Sequence, residues 1–194
     1  AWTDHRIRQQ YSEPMVSFDS ATQPELVTFL GEKADPRDLG LAYYDLVAAG
    51  NTGEAARAWT LLLAARKAHP LDLPVLTALG YLAQMRGNTT EAIDAYRDAL
   101  KVDPVDFTAT NNLAILLARA GQLLEAEVLW KKTYALNEAT DEPGINLANV
   151  ECMLGNKDAA SATLKRVLFY SPDRKAARQK LQAIESGKET CPKN

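Results

Sequence analysis

The sequence predicts an all-α chain: an α-α superhelix of four helical hairpins, closed by a C-terminal capping helix and preceded by an extended N-terminal arm. Two observations predict it. Gly50, Gly87, Gly121 and Gly155 fall 37, 34 and 34 residues apart. Each opens the same six-residue phrase, from Gly50-Asn51-Thr52-Gly53-Glu54-Ala55 to Gly155-Asn156-Lys157-Asp158-Ala159-Ala160. A fixed period of this size marks stacked copies of one supersecondary unit, none able to bury its apolar face alone. The second observation is a small residue followed four positions later by a large one: Ala92 with Tyr96, Ala126 with Trp130, Ala160 with Leu164. That spacing puts both on one helix face, the small one where two helices approach closely.

Residues 1–35 do not share the period. Pro14 and Pro24, with scattered Met15, Val16 and Phe18, predict an extended arm lying along the first repeat. Four repeats follow, over 36–72, 73–106, 107–140 and 141–174. In each, the glycine suits the left-handed position that ends a first helix. Asn51, Asn88 and Gln122 then stand near the next helix start, with Glu54, Glu91 and Glu125 at capping-box spacing.

The clearest copy, 73–106, reads Leu76, Leu79, Gly80, Ala83, Ala92, Tyr96, Ala99 and Pro104. This resembles the tetratricopeptide repeat, a pair of antiparallel helices with these residue types at set offsets. The copy 107–140 keeps Leu113, Ala114, Leu117, Ala126 and Trp130, but has Thr133 and Glu138 where that family prefers a small residue and Pro. The copy 141–174 keeps Leu147, Ala148, Ala160, Leu164 and Pro172. The first keeps Leu39, Ala42, Tyr43, Leu46, Ala55 and Trp59, while its proline, Pro70, arrives three residues late. That delay predicts nearly one extra turn on its second helix. Beyond the repeats, 175–194 reads as a capping helix and frayed tail. Ser171 as N-cap and Pro172 at the first helical position open it, Ala177, Leu181 and Ile184 form its one apolar stripe, and Gly187 ends it.

Bulk composition fits a folded chain, 46% hydrophobic and 24% charged. A net charge of −3 supplies no field that favours nucleic acid. No apolar run approaches the roughly 18–20 residues of a membrane span. The opening Ala1-Trp2-Thr3-Asp4 reads as a processed or excised start. Cys152 and Cys191, the two cysteines, set no disulfide framework. Cys152, on the first helix of the fourth repeat, reads as a packed or half-buried thiol; a bridge to Cys191 is open in an oxidising compartment.

No enzyme is predicted. His5 and His69 are the two histidines, and neither stands in a metal-ligand spacing. There is no phosphate-cradling glycine loop, no Gly-x-Ser-x-Gly and no cysteine with a histidine base. No metal or cofactor is expected on this chain.

The resemblance to tetratricopeptide proteins implies a binding scaffold, in which the first helix of each repeat lines a concave groove that holds a peptide or partner protein. Aligned in this way, the groove positions are Arg37 and Tyr44; Thr77, Tyr81 and Gln84; Asn111, Asn112, Ile115 and Arg119; and Asn146 and Asn149. Asn112 and Asn146 occupy equivalent sites 34 residues apart. An amide offers both donor and acceptor, so such a ladder can bond an extended backbone without reading its side chains. It can equally satisfy neighbouring helices. Tyr44 and Tyr81 add apolar area with a polar tip. The Lys/Asn/Arg set with which chaperone-type relatives clamp a C-terminal carboxylate is not reproduced, since Gly40 and Tyr44 stand where its Lys and Asn fall. An exposed end repeat can also pair two copies into a homo-oligomer.

A second reading comes from Trp2-Thr3-Asp4-His5-Arg6-Ile7-Arg8. It resembles the Thr-Asp-His-Arg-Ile run where a bacterial multihaem cytochrome module joins a C-terminal tetratricopeptide array. The resemblance implies an accessory domain of an exported redox protein, with His5 as the candidate axial haem ligand and a periplasmic or exported location in place of a cytoplasmic one. The bland alternative is an exposed histidine in a loose terminus. The 194 residues contain no Cys-x-x-Cys-His, so this stretch attaches no c-type haem by itself.

Overall fold

The computed structural model describes residues 35–136, 138–188 and 191. The predicted arm, apart from Asp35, and His5 lie outside the described residues. Among the described residues there are nine α-helices and no strand. Four hairpins follow one another: α1 (Pro36–Ala48) with α2 (Ala55–Ala68), α3 (Leu73–Met85) with α4 (Thr89–Val102), α5 (Phe107–Arg119) with α6 (Leu123–Leu136), and α7 (Asp141–Met153) with α8 (Lys157–Tyr170). The terminal α9 runs Lys175–Glu185.

Local chemistry sets the ends. Asp35, Asp72 and Asp106 stand just before α1, α3 and α5, and their carboxylates accept from the backbone N–H of Arg37, Val75 and Ala109 at 2.9, 3.1 and 2.6 Å. Such caps stabilise a helix start by about 1 kcal/mol each. Each first helix stops at its glycine. Gly87, at φ +74°, turns the chain so that the N–H of Asn88 reaches back to the carbonyl of Ala83 at 3.0 Å. The same bond joins Asn51 to Leu46, Gln122 to Leu117 and Asn156 to Glu151, which satisfies carbonyls that a helix end leaves bare. The following residue thus closes the first helix before it opens the second. Asn88 does both, since its side chain also accepts from the Glu91 N–H. Asn51 and Asn156 make no side-chain cap.

The first repeat departs from its predicted register. Its three additional residues do not lengthen the second helix, which has 14 residues as α4, α6 and α8 do. They form a short 3-10 turn, Thr52–Glu54, ahead of it. The buried face of α2 is therefore Ala58, Leu62 and Ala65, so the counterparts of Ala92 and Tyr96 are Ala58 and Leu62, not Ala55 and Trp59. The capping helix is also corrected. It starts at Lys175, and Ser171-Pro172 lie in the turn before it. Ala177 and Ile184 are fully buried and Leu181 half-buried.

Burial is continuous along the stack. One cluster joins Tyr43, Val47, Ala58, Leu62 and the α3 residues Val75, Ala78, Leu79 and Leu82. The other runs from Leu76 and Ala83 through Tyr96, Trp130, Leu147 and Leu164 to Ile184. α3 feeds both, which explains why it is apolar nearly all round. Thr133, where the tetratricopeptide pattern prefers a smaller residue, is fully buried, and its hydroxyl is satisfied by the Leu129 carbonyl at 2.9 Å. Ion pairs link successive second helices on the outside, Arg66 with Asp98 at 2.7 Å and Arg97 with Glu125 at 3.0 Å. Solvent-accessible pairs of this kind each contribute about 0–1 kcal/mol.

Cys152 is no free thiol. It is bonded to Cys191, 39 residues on, with the Cα atoms 4.7 Å apart. Two cysteines are too few to set a framework from sequence, but α9 turns the chain back so that the tail meets α7.

Candidate functional site

The first helices touch one another along the stack, α1 against α3 and α3 against α5. Of the predicted groove residues, Tyr44 of α1 and Tyr81 of α3 are brought into contact by this stacking. Tyr44 and Tyr81 meet edge to face, ring centroids 5.7 Å apart. Burial, with smaller contributions from Tyr81 and Asp45, pushes the Tyr44 phenol up to about 12. Beneath them Tyr96 is fully buried, and burial holds its hydroxyl neutral. Asn112 lies beside that hydroxyl and favours its ionised form, but the two do not reach hydrogen-bond geometry. Asn112, Asn146 and Asn149 are all half-buried.

Other predicted residues are occupied by the fold. The carbonyl oxygen of Asn111 accepts from the Trp130 indole N–H at 3.0 Å, inside the hairpin. Thr77 returns its hydroxyl to the carbonyls of Leu73 and Pro74. Arg37 pairs with Asp72 at 2.5 Å and Asp38 at 3.0 Å. It therefore links α1 to the cap of α3. Ile115 packs against the core. Gln84 is half-buried, its side-chain oxygen shut off without a partner. Arg119 is exposed at the end of α5.

Sequence reasoning missed a second feature. Lys131, Tyr134 and Ala135 of α6, Glu138 beyond it, Leu147 and Glu151 of α7, and Ala162, Thr163 and Arg166 of α8 enclose a cleft of about 300 Å³. Glu151 is only 3% exposed, and its Oε2 accepts from the Thr163 hydroxyl at 2.8 Å. Burial raises its carboxyl above the ordinary range; Thr163 and Lys131 oppose that shift and Glu127 adds to it. Tyr134 is nearly as buried, and its hydroxyl has no partner. A signal was legible. Glu151 stands where the other repeats carry Leu46, Ala83 and Leu117, and Thr163 where they carry Ala95 and Leu129.

Among the described residues no group of His, Cys, Asp and Glu is placed to hold a metal ion. No helix among them is long and apolar enough to cross a membrane.

Comparison with known proteins agrees with the architecture. Residues 77–135 match the tetratricopeptide repeat family. Human tetratricopeptide repeat protein 7B is 28% identical over 109 residues, which are 56% of this chain and 13% of that protein. The chain thus spans a small part of the length of the curated relative it matches. Among solved structures, that of MamA protein superposes with a TM-score of 0.71 at 19% identity, covering 79% of this chain and 83% of the other. The first tetratricopeptide unit of Spaghetti (RPAP3), bound to the HSP90 peptide SRMEEVD, gives 0.55 at 24% identity, covering 59% of this chain and 91% of the other. At such identities the structural likeness shows the fold.

Proposed function

We propose, from the premise that the chain is a tetratricopeptide repeat protein, that it is a non-catalytic scaffold holding an extended peptide or a segment of a partner protein along its first helices. The observation that carries this reading is the pair Asn112 and Asn146, half-buried at equivalent positions of α5 and α7. Asn111, by contrast, is engaged by Trp130. Amides repeating with the stack match a bound backbone that itself repeats, and the Tyr44–Tyr81 pair supplies apolar area beside them.

The Spaghetti unit is described as bound to a peptide ending in Glu-Glu-Val-Asp. This chain lacks the cationic clamp for such an acidic end, with Gly40 and Tyr44 at two of its positions. A neutral or internal peptide segment therefore fits better, with a Kd on the order of micromolar.

Selection of a displayed peptide library against the full chain, followed by calorimetry on a selected peptide, tests the reading. The double variant Asn112→Ala with Asn146→Ala should raise Kd by about tenfold or more. An unchanged Kd would leave the two amides with a structural role only.

One observation favours the second reading, an accessory domain of an exported multihaem redox protein. The Cys152–Cys191 bond suits an oxidising compartment. In that case the haems belong to another part of the protein, since these residues contain no attachment motif. An absorbance scan of the full-length protein tests it: a haem Soret band supports this origin, and its absence removes it.

A further inference from the structure

We infer that the cleft between α6, α7 and α8 is a binding site for a protonated amine or guanidinium group. It lies apart from the first-helix face and stands whether or not that face holds a peptide.

Glu151 makes no direct ion pair among the described residues, and the charge of Lys131 reaches it only from a distance. The two cations at the cleft are committed elsewhere: Lys131 to Glu127 at 2.7 Å, and Arg166 to Glu138. Three carboxylates against two cations leave one negative charge, and it resides on the most buried carboxylate of the three. An ionised carboxylate removed from water without a counter-charge is strongly destabilising, whereas an apolar residue of similar size is not. The fold itself shows that apolar residues serve at this position, as Leu117 and Ala83 do. Glu151 with Thr163 thus replaces two apolar residues at a cost in stability, and a cation entering the cleft removes that cost. Its volume of about 300 Å³ admits the end of a lysine or arginine side chain and is at the lower limit for small-molecule sites.

The test is a heteronuclear NMR titration of the full chain with n-butylammonium and ethylguanidinium chloride, against sodium chloride at equal ionic strength. A second arm uses blocked tripeptides with lysine or norleucine at the centre. Saturable amide shifts are expected at Tyr134, Glu151 and Thr163, with Kd in the range of about 1–10 mM, and none with norleucine. Glu151→Gln should weaken binding by about tenfold or more while keeping the Thr163 bond. Glu151→Leu, which copies Leu117, should abolish it in a folded protein. Tighter binding of the lysine peptide than of butylammonium assigns the site to a partner's side chain; equal binding assigns it to a free organic cation. Shifts no larger than those with sodium, or Glu151→Gln titrating like the parent, would overturn the proposal.

Discussion

Tyr96 lies directly on Gly80: a Cβ built on the glycine would stand 2.6 Å from the Tyr96 Cε1. The two residues belong to the two helices of one hairpin, and the ring is fully buried, so it has nowhere to move. Two effects compete in Gly80→Ala. Helix propensity favours alanine by about 1 kcal/mol, while overpacking a closed core costs about 1–3 kcal/mol. The clash prevails at this distance. A net loss of about 1–2 kcal/mol is expected, read as a lower denaturation midpoint.

Register in the first repeat is directly testable. Ala58 is fully buried and Ala55 is not. Ala58→Leu, like Ala126→Leu in the third repeat, should destabilise by about 1–3 kcal/mol, and Ala55→Leu, at a half-buried position, by clearly less. The reverse order in thermal melts would restore Ala55 to the hairpin interface and displace the 3-10 turn.

Glu151 makes stability depend on pH with a definite sign. Its carboxyl is raised in the folded chain, principally by burial. The folded state therefore holds the proton longer than the unfolded chain. No penalty exists below the unfolded carboxylate value of about 4.3, and stability falls as pH rises through the folded value. Glu151→Gln should raise Tm at about pH 7 and leave it unchanged near pH 4. A lower Tm at neutral pH would mean that the carboxylate is stabilised by a partner in the fold.

Opening the disulfide should act locally. Reduction, or Cys191→Ser, removes the constraint on a 39-residue loop containing α8 and α9. A loss of about 2–4 kcal/mol is expected, appearing in hydrogen exchange first as lost protection in α9. Uniform loss across all repeats would show that the stack unfolds as one unit.

Neutralising Asp72 should disturb two elements together, because it caps α3 and holds Arg37. Asp72→Ala is expected to cost about 1–2 kcal/mol, and Arg37→Ala less than about 1 kcal/mol. Chemical denaturation of both variants checks the order.

The sequence by itself determined the hairpins, their order and most of their buried residues. Glycine at a left-handed turn and alanine at a close helix contact are demands that recur with each copy, so the period exposes them. Asp35, Asp72 and Asp106 repeat in the same way, each capping the first helix of its repeat. Tertiary structure decided the rest. Only packing shows that three added residues in the first repeat form a turn before α2, since a late proline is equally explained by a longer helix. Only the return path of α9 brings Cys191 to Cys152. Arg37 and Asn111, predicted for the groove, bond to Asp72 and Trp130 within the fold, a choice that depends on side chains from other helices. The acid at Glu151 was visible as a break in the pattern, but its meaning depends on its having no direct ion pair among the described residues. That is a property of three helices meeting, which one-dimensional periodicity does not encode.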